Sequence, residues 1–210
     1  MLEYRIQDAS KSGQQPPAGI FLLHGYGSHA DDLFSFAPYL PKTHTIIALQ
    51  APLNIGPNSH AWYPLQTTEN GTITSSIDEA WAAVQLIIDT IEELTEMHNL
   101  NANDISLLGF SQGAILSWAI AYHHAKKIRR IIALSGLVHE SINTDNPPEF
   151  IAYASHGTQD PIIPISAARE SIRPIAKKYS TISYHEFNEG HNISPENVQQ
   201  FLEWIDLTNL

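Results

Sequence analysis

Cysteine is absent from the 210 residues of this chain. Its absence removes disulfides, thiolate metal sites and a cysteine nucleophile together, and it fits a reducing compartment. Basic residues are scarce: 11 Lys and Arg stand against 22 Asp and Glu, a formal net charge of −11. A chain so acidic repels nucleic acid and anionic membrane surfaces, so neither is an expected partner. No apolar run reaches the roughly 18–20 residues of a membrane helix, and no stable membrane insertion is expected. The opening Met1-Leu2-Glu3-Tyr4-Arg5-Ile6 lacks a basic stretch followed by an apolar one, so no secretory signal is read and a cytoplasmic location is expected. Hydrophobic residues make up 43% and charged residues 16%, the balance of a soluble globular protein. With no internal repeat and no interdomain linker, the expectation is a single domain over 1–210 with one sizeable core.

Strand-like and helix-like segments alternate, which predicts an α/β fold with a mostly parallel sheet. Gly19–Leu23 and His44–Leu49 read as buried strands, with a short helix from Asp31 to Leu40 stopped by Pro41 between them. Lys11 to Pro17 reads as a turn between early strands, and the Pro-, Asn- and Gly-rich stretch from Ala51 to Thr72 as a long structureless loop. Loops of that length are usually functional or mobile. Apolar residues stepping by three or four (Ile77, Trp81, Val84, Ile88, Ile91, Leu94) predict a long amphipathic helix over Ser76–His98. Further strands are read at Asp104–Phe110, Arg130–Leu134, Phe150–Ser155 and Thr181–Phe187. Helices are read after residue 113, over Ser166–Tyr179 with a disturbance at Pro174, and from Ser194-Pro195 onward, where Ser is the N-cap and Pro the first position. Val198, Phe201, Leu202 and Ile205 form the buried stripe of that last helix.

Gly109-Phe110-Ser111-Gln112-Gly113 is the most informative stretch. It matches Gly-x-Ser-x-Gly, and its flanks are an apolar strand before and a helical run after, the context of a nucleophile elbow. A tight turn there brings neighbouring backbone against positions 109 and 113, where only glycine fits. A serine hydroxyl needs a base, and the base needs an orienting partner. Around such an elbow the partners follow in the order Ser, Asp or Glu, His, each on a loop after a strand. Asp160 follows the strand ending near Ser155, and His191 follows the strand ending at Phe187. Asp145 and Glu149 precede their strand, and Asp104 sits at the far end of the elbow strand. The chain has 11 His; His191 alone combines loop position with order, while His156 neighbours Asp160 and could line the site. An oxyanion hole needs two backbone N–H donors. Gln112, after the serine, supplies one, and Tyr26, in the strand-end loop Leu23-His24-Gly25-Tyr26-Gly27, supplies the second. The scattered histidines lack the spacing of a zinc site, and no metal or cofactor is expected.

Together these pieces resemble the phospholipase/carboxylesterase family of α/β-hydrolases, the group that includes acyl-protein thioesterases. The resemblance covers nearly the whole chain and rests on Leu22–Gly27, Gln50-Ala51-Pro52, Trp62, the elbow with Gln after the Ser, Leu134-Ser135-Gly136, His156-Gly157 with Asp160-Pro161, and Gly190-His191. It implies a triad of Ser111, Asp160 and His191 and oxyanion donors at Tyr26 and Gln112. Relatives often carry an apolar residue where Tyr26 stands. It further implies that Trp62, Tyr63 and Leu65 border an acyl pocket, with Ile162 and Ile163 as an opposite wall; the alternative is that Trp62 and Leu65 anchor the loop on the core. The chain has no room for a large lid, which favours small or extended acyl groups. The implied activity is hydrolysis of a small-molecule ester through a Ser111 acyl-enzyme. Acyl-protein thioesterase or lysophospholipase activity and carbohydrate deacylation are the alternatives, and an intact Ser, Asp and His set argues against a binding protein without chemistry. A monomer or homodimer is expected.

Overall fold

The computed structural model of the protein describes residues 1–10, 15–67 and 73–208. Among these, seven strands form one sheet: β1 (Tyr4–Gln7), β2 (Ala18–Leu23), β3 (His44–Leu49), β8 (Ile105–Phe110), β9 (Arg130–Leu134), β10 (Ile151–Gly157) and β11 (Ile182–Phe187). Their spatial order is β1-β3-β2-β8-β9-β10-β11. Every neighbouring pair is parallel except β1 with β3. The expected α/β fold with a mostly parallel sheet is therefore the fold observed.

The central strands read as unbroken apolar runs because both of their faces are buried. Side chains alternate across a strand, so Phe21 and Leu23 of β2 enter one core cluster while Ile20 and Leu22 enter the other. Three helices cover the first face: α2 (Ile77–Met97), α3 (Gln112–His123) and α4 (Ile165–Lys178). Two cover the second: α1 (Ala30–Phe34) and α5 (Pro195–Leu207).

The helix ends follow local chemistry. Ser76 caps α2 by accepting the Glu79 N–H, and Ser194 caps α5 by accepting the Asn197 N–H, with Pro195 at the first position. Phe201 and Ile205 are buried on α5, with Val198 and Leu202 partly buried beside them. On α2 the stripe is shifted from its predicted start, because Ile77 is exposed. The helix expected to run to Leu40 ends at Phe34 and gives way to turns with i→i+3 bonds. Pro38 is the physical reason: its ring would collide with the Phe34 carbonyl, four residues back, and it lacks an N–H. Pro174 leaves α4 continuous; it and Glu170, whose carbonyl loses its helical partner, are both exposed, so that carbonyl is free to bond water.

The 51–72 stretch is not structureless. Strands β4 (Leu53–Gly56) and β5 (Ser59–Ala61) form a hairpin, and β6 (Gln66–Thr67) pairs with β7 (Ile73–Thr74). Residues 68–72 of that stretch and 11–14 of the predicted turn at 11–17 lie outside the described residues. No helix of the described residues is long and apolar enough to cross a membrane.

Candidate active site

The loops that leave the carboxyl ends of parallel strands share one edge of the sheet, the edge at which open α/β sheets bind ligands. Ser111 leaves β8, Asp160 follows β10, His191 follows β11, and Tyr26 follows β2. These are four separate loops brought to one place.

The chain turns sharply at Ser111, which holds φ 53° and ψ −115°, a conformation that costs a non-glycine residue about 1–3 kcal/mol. The surroundings enforce it. Its N–H donates to the Leu134 carbonyl (2.9 Å), and its carbonyl accepts from Ala114 and Ile115, which starts α3. A Cβ at Gly113 would overlap the Leu23 carbonyl, and one at Gly109 would overlap the backbone of Gly113, so the elbow closes only on glycine.

Ser111 Oγ lies 2.9 Å from His191 Nε2, and His191 Nδ1 lies 2.7 Å from Asp160 Oδ2. The Asp160 carboxylate assigns the tautomer: Nδ1–H donates to it, leaving Nε2 as the acceptor of the serine proton. Asp160 has no exposed side-chain surface and is fully solvated by protein. Oδ1 accepts the N–H groups of Ile162 (2.8 Å) and Ile163 (2.9 Å), and Oδ2 faces both His191 and His156 Nε2 (3.3 Å). The Phe110 ring packs on the His191 imidazole at 5.0 Å between centroids.

Tyr26 and Gln112 face the same elbow. A Cβ on Gly25 would stand 3.3 Å from the Ser111 Cβ, so the loop after β2 lies directly against the serine. The turn Gly25–Ser28 closes with the Ser28 N–H on the Gly25 carbonyl (3.2 Å). Gly27, its third residue, holds φ 80°, the left-handed position that a type II turn gives to glycine. Gln112 opens α3, where the unsatisfied N–H groups and the helix dipole favour negative charge. Neither the Tyr26 nor the Gln112 N–H has a hydrogen-bond partner among the described residues.

The other anticipated residues fall in different places. Trp62 and Tyr63 are buried, and Leu65 is partly buried against the core. Tyr63 borders a cavity of about 290 Å³ beside α3, together with Ile77, Trp81, Ile115, Ala119 and Ile142. Burial pushes the Tyr63 phenol up to about 12, so it stays neutral. Ile162 and Ile163 do not line that cavity; Ile162 is exposed, and the two residues meet Asp160 through their backbone.

Beside the expected neighbourhood of His156 and Asp160, the structure adds two contributions that the sequence does not announce, from the Gln112 side chain and from Glu189. The Gln112 side chain bonds the backbone of Trp62 and Tyr63. His156, fully buried, touches Asp160. Glu189 accepts the Ser194 N–H (2.7 Å) and the Asn197 amide (2.9 Å), which ties the His191 loop to the start of α5. The sequence signal for Glu189 was a carboxylate five residues ahead of a Ser-Pro helix start, where the N-terminal dipole attracts negative charge.

The family model described as Phospholipase/Carboxylesterase matches residues 6–209. The chain belongs to the phospholipase/carboxylesterase family. Within and around this family it is 27% identical over 225 residues to acyl-protein thioesterase 1 of Kluyveromyces lactis, covering 95% of each chain. It is 25% identical over 208 residues to the esterase YpfH of Escherichia coli, covering 97% of this chain and 87% of that one. Among solved structures, esterase PE8 superposes with a TM-score of 0.84 at 22% identity, covering 99% of both chains, a likeness of fold.

Proposed function

We propose that the protein is a serine carboxylic-ester hydrolase acting on small or medium acyl esters. The observation that carries this reading is the unbroken chain of hydrogen bonds from Ser111 Oγ through His191 to Asp160, in a chain of this family. Ser111 Oγ attacks the ester carbonyl as His191 Nε2 takes its proton. Asp160 holds the imidazole in the receptive tautomer and stabilises its charged form. The oxyanion rests on the free N–H groups of Tyr26 and Gln112. His191 then protonates the leaving alcohol, and a water molecule repeats the attack on the Ser111 acyl-enzyme, returning the proton to the serine. The chain's own residues handle every proton, so the cycle calls for no cofactor.

On this reading the acyl chain would enter the cavity beside α3, whose wall residue Ile115 sits one turn after the serine. Thioester hydrolysis is the second reading, favoured by the naming of the Kluyveromyces lactis relative as an acyl-protein thioesterase.

The test is hydrolysis of p-nitrophenyl esters from acetyl to palmitoyl by the wild type and Ser111→Ala, with matched acyl-thioesters alongside. A rate that peaks at one chain length and collapses in the variant supports the proposal. Robust turnover by Ser111→Ala sinks it, and a thioester rate far above the ester rate moves the assignment to the second reading.

A further inference from the structure

Trp62 is only 3% exposed, and it is bonded to both sides of the anion site. Its backbone N–H donates to the Gln112 side-chain oxygen (2.9 Å), and its indole N–H donates to the His24 carbonyl (2.8 Å). Gln112 answers with its amide N–H on the Tyr63 carbonyl (2.9 Å). A single glutamine thus grips the 62–63 backbone from two directions, as a neighbouring strand would. On the other side, the Trp62 and His24 rings lie 5.3 Å apart.

His24 is itself immobilised. Its Nε2 accepts the Ala51 N–H (3.1 Å), so its proton sits on Nδ1, which faces the Gly25 carbonyl at 2.8 Å. Burial lowers its pKa to about 4, which keeps the ring neutral and this bonding pattern intact at neutral pH. The segment just before Trp62 adds two backbone bonds to the same loop, Gly27 N–H to the His60 carbonyl and His60 N–H to the Ser28 carbonyl, both 2.8 Å.

Building on the hydrolase reading, we propose that Trp62 is a positioning residue that sets the separation of the two oxyanion donors, its indole N–H holding the Tyr26 loop and its backbone N–H holding the elbow at Gln112. The Tyr26 and Gln112 N–H groups belong to loops far apart in the chain. Neither has an intramolecular partner among the described residues to fix its aim. A donor must sit about 2.7–3.1 Å from the place where the oxyanion forms, so the spacing of the two loops matters most at the transition state. Trp62 spans that spacing with two buried hydrogen bonds.

The experiment removes the indole N–H and keeps the ring. Trp62→Phe does this with some loss of volume, and benzothienylalanine installed at position 62 does it with the shape retained. Each variant is first checked by thermal melting, then assayed for kcat and KM on the best p-nitrophenyl ester and for binding of a trifluoromethyl ketone, whose adduct with the serine carries an oxyanion. The expected result is a kcat lower by about tenfold to hundredfold, short of the hundredfold to thousandfold of an outright lost donor. KM should change by less than about twofold, and ketone affinity should fall by the same factor as kcat. A folded variant with wild-type kcat overturns the proposal, as does a kcat loss with unchanged ketone affinity. The Ser111→Ala control separates the two levels: if it stays active the hydrolase reading fails, whereas loss in Ser111→Ala with a fully active Trp62 variant removes only the role of Trp62.

Discussion

Asp160 presents one carboxylate oxygen to two imidazoles, with His191 Nδ1 at 2.7 Å and His156 Nε2 at 3.3 Å from the same Oδ2. His156 is buried, its Nε2 also meets the Ile163 carbonyl at 2.8 Å, and its Nδ1 lies 3.2 Å from the Gly136 carbonyl. It joins the loop carrying the carboxylate to the strand end beside the elbow. Asp160→Asn keeps the shape but reverses the tautomer preference of His191, and kcat should fall by about 10⁴. His156→Asn removes the ring that stands beside the carboxylate and bonds the Ile163 carbonyl, and kcat/KM should fall by roughly tenfold. Steady-state kinetics of both variants on one ester decide the matter; equal losses would mean that His156 matters as much as the carboxylate itself.

Glu189 is a buried carboxylate that caps α5 and holds the loop of His191. Glu189→Ala strands the Ser194 N–H and the Asn197 amide. The stability cost should be about 1–3 kcal/mol, seen as a lower urea midpoint. Activity should drop even at temperatures where circular dichroism reports a native fold, because His191 loses its anchor. Full activity in a folded Glu189→Ala protein would show that the loop holds its shape unaided.

At the opposite edge of the sheet, Arg130 is fully buried and reaches Asp104 (2.7 Å), Ser106 Oγ (2.9 Å), His44 Nε2 (3.0 Å) and the Thr208 carbonyl (3.1 Å). It ties the end of α5 to the start of β9. Arg130→Met should destabilise the protein by about 3–5 kcal/mol, the cost of breaking a buried pair. Combining it with Asp104→Asn should cost less than the two single changes added together. Denaturant melts of the three variants provide the comparison.

Acid should weaken the fold through two buried histidines. Burial lowers His24 to about 4, and burial followed by the nearby Arg130 lowers His44 to about 4, from an ordinary 6.5. Below 6.5 the unfolded chain therefore takes up protons that the folded chain refuses, and stability rises with pH over this window. The contribution of each is complete above pH 6.5 and is lost as pH falls toward 4, roughly 2–3 kcal/mol per histidine. Urea midpoints between pH 7.5 and 4.5 should decline, and His44→Gln should flatten the decline.

Gly113→Ala puts a Cβ into the Leu23 carbonyl, a backbone atom with nowhere to go. Overpacking of this kind costs about 1–3 kcal/mol or more, and here it would also reopen the turn at Ser111. The variant should melt earlier and lose nearly all esterase activity. An active Gly113→Ala enzyme would contradict the tight contact between elbow and sheet.

The parts of the protein legible in its sequence are those written in short-range pattern. Buried parallel strands leave continuous apolar runs, and caps leave Ser76 and Ser194-Pro195. The elbow leaves its glycines, so the fold class and the residues meeting at Ser111 could be read directly. The hairpin at 53–61 was missed because its strands are short and its pairing is set partly by tertiary contact, as in the bridge between Ser28 and His60. The side-chain role of Gln112 and the two hydrogen-bond partners of Trp62 are invisible for a related reason. A hydrogen bond between residues 50 positions apart leaves no periodicity to find. Ile162 and Ile163, expected as pocket walls, also place their amides on Asp160, a backbone role that side-chain identity does not announce.

The spread of the site along the chain also governs when it comes into being. Ser111 emerges from the ribosome well before His191, whose loop is held by Glu189 and the beginning of α5. A nascent or truncated chain ending before β11 carries the serine without its base. The hydrogen-bonded set at Ser111 can therefore close only after β11 and the start of α5 have been made, so the appearance of esterase activity during translation would mark the docking of β11 onto β10.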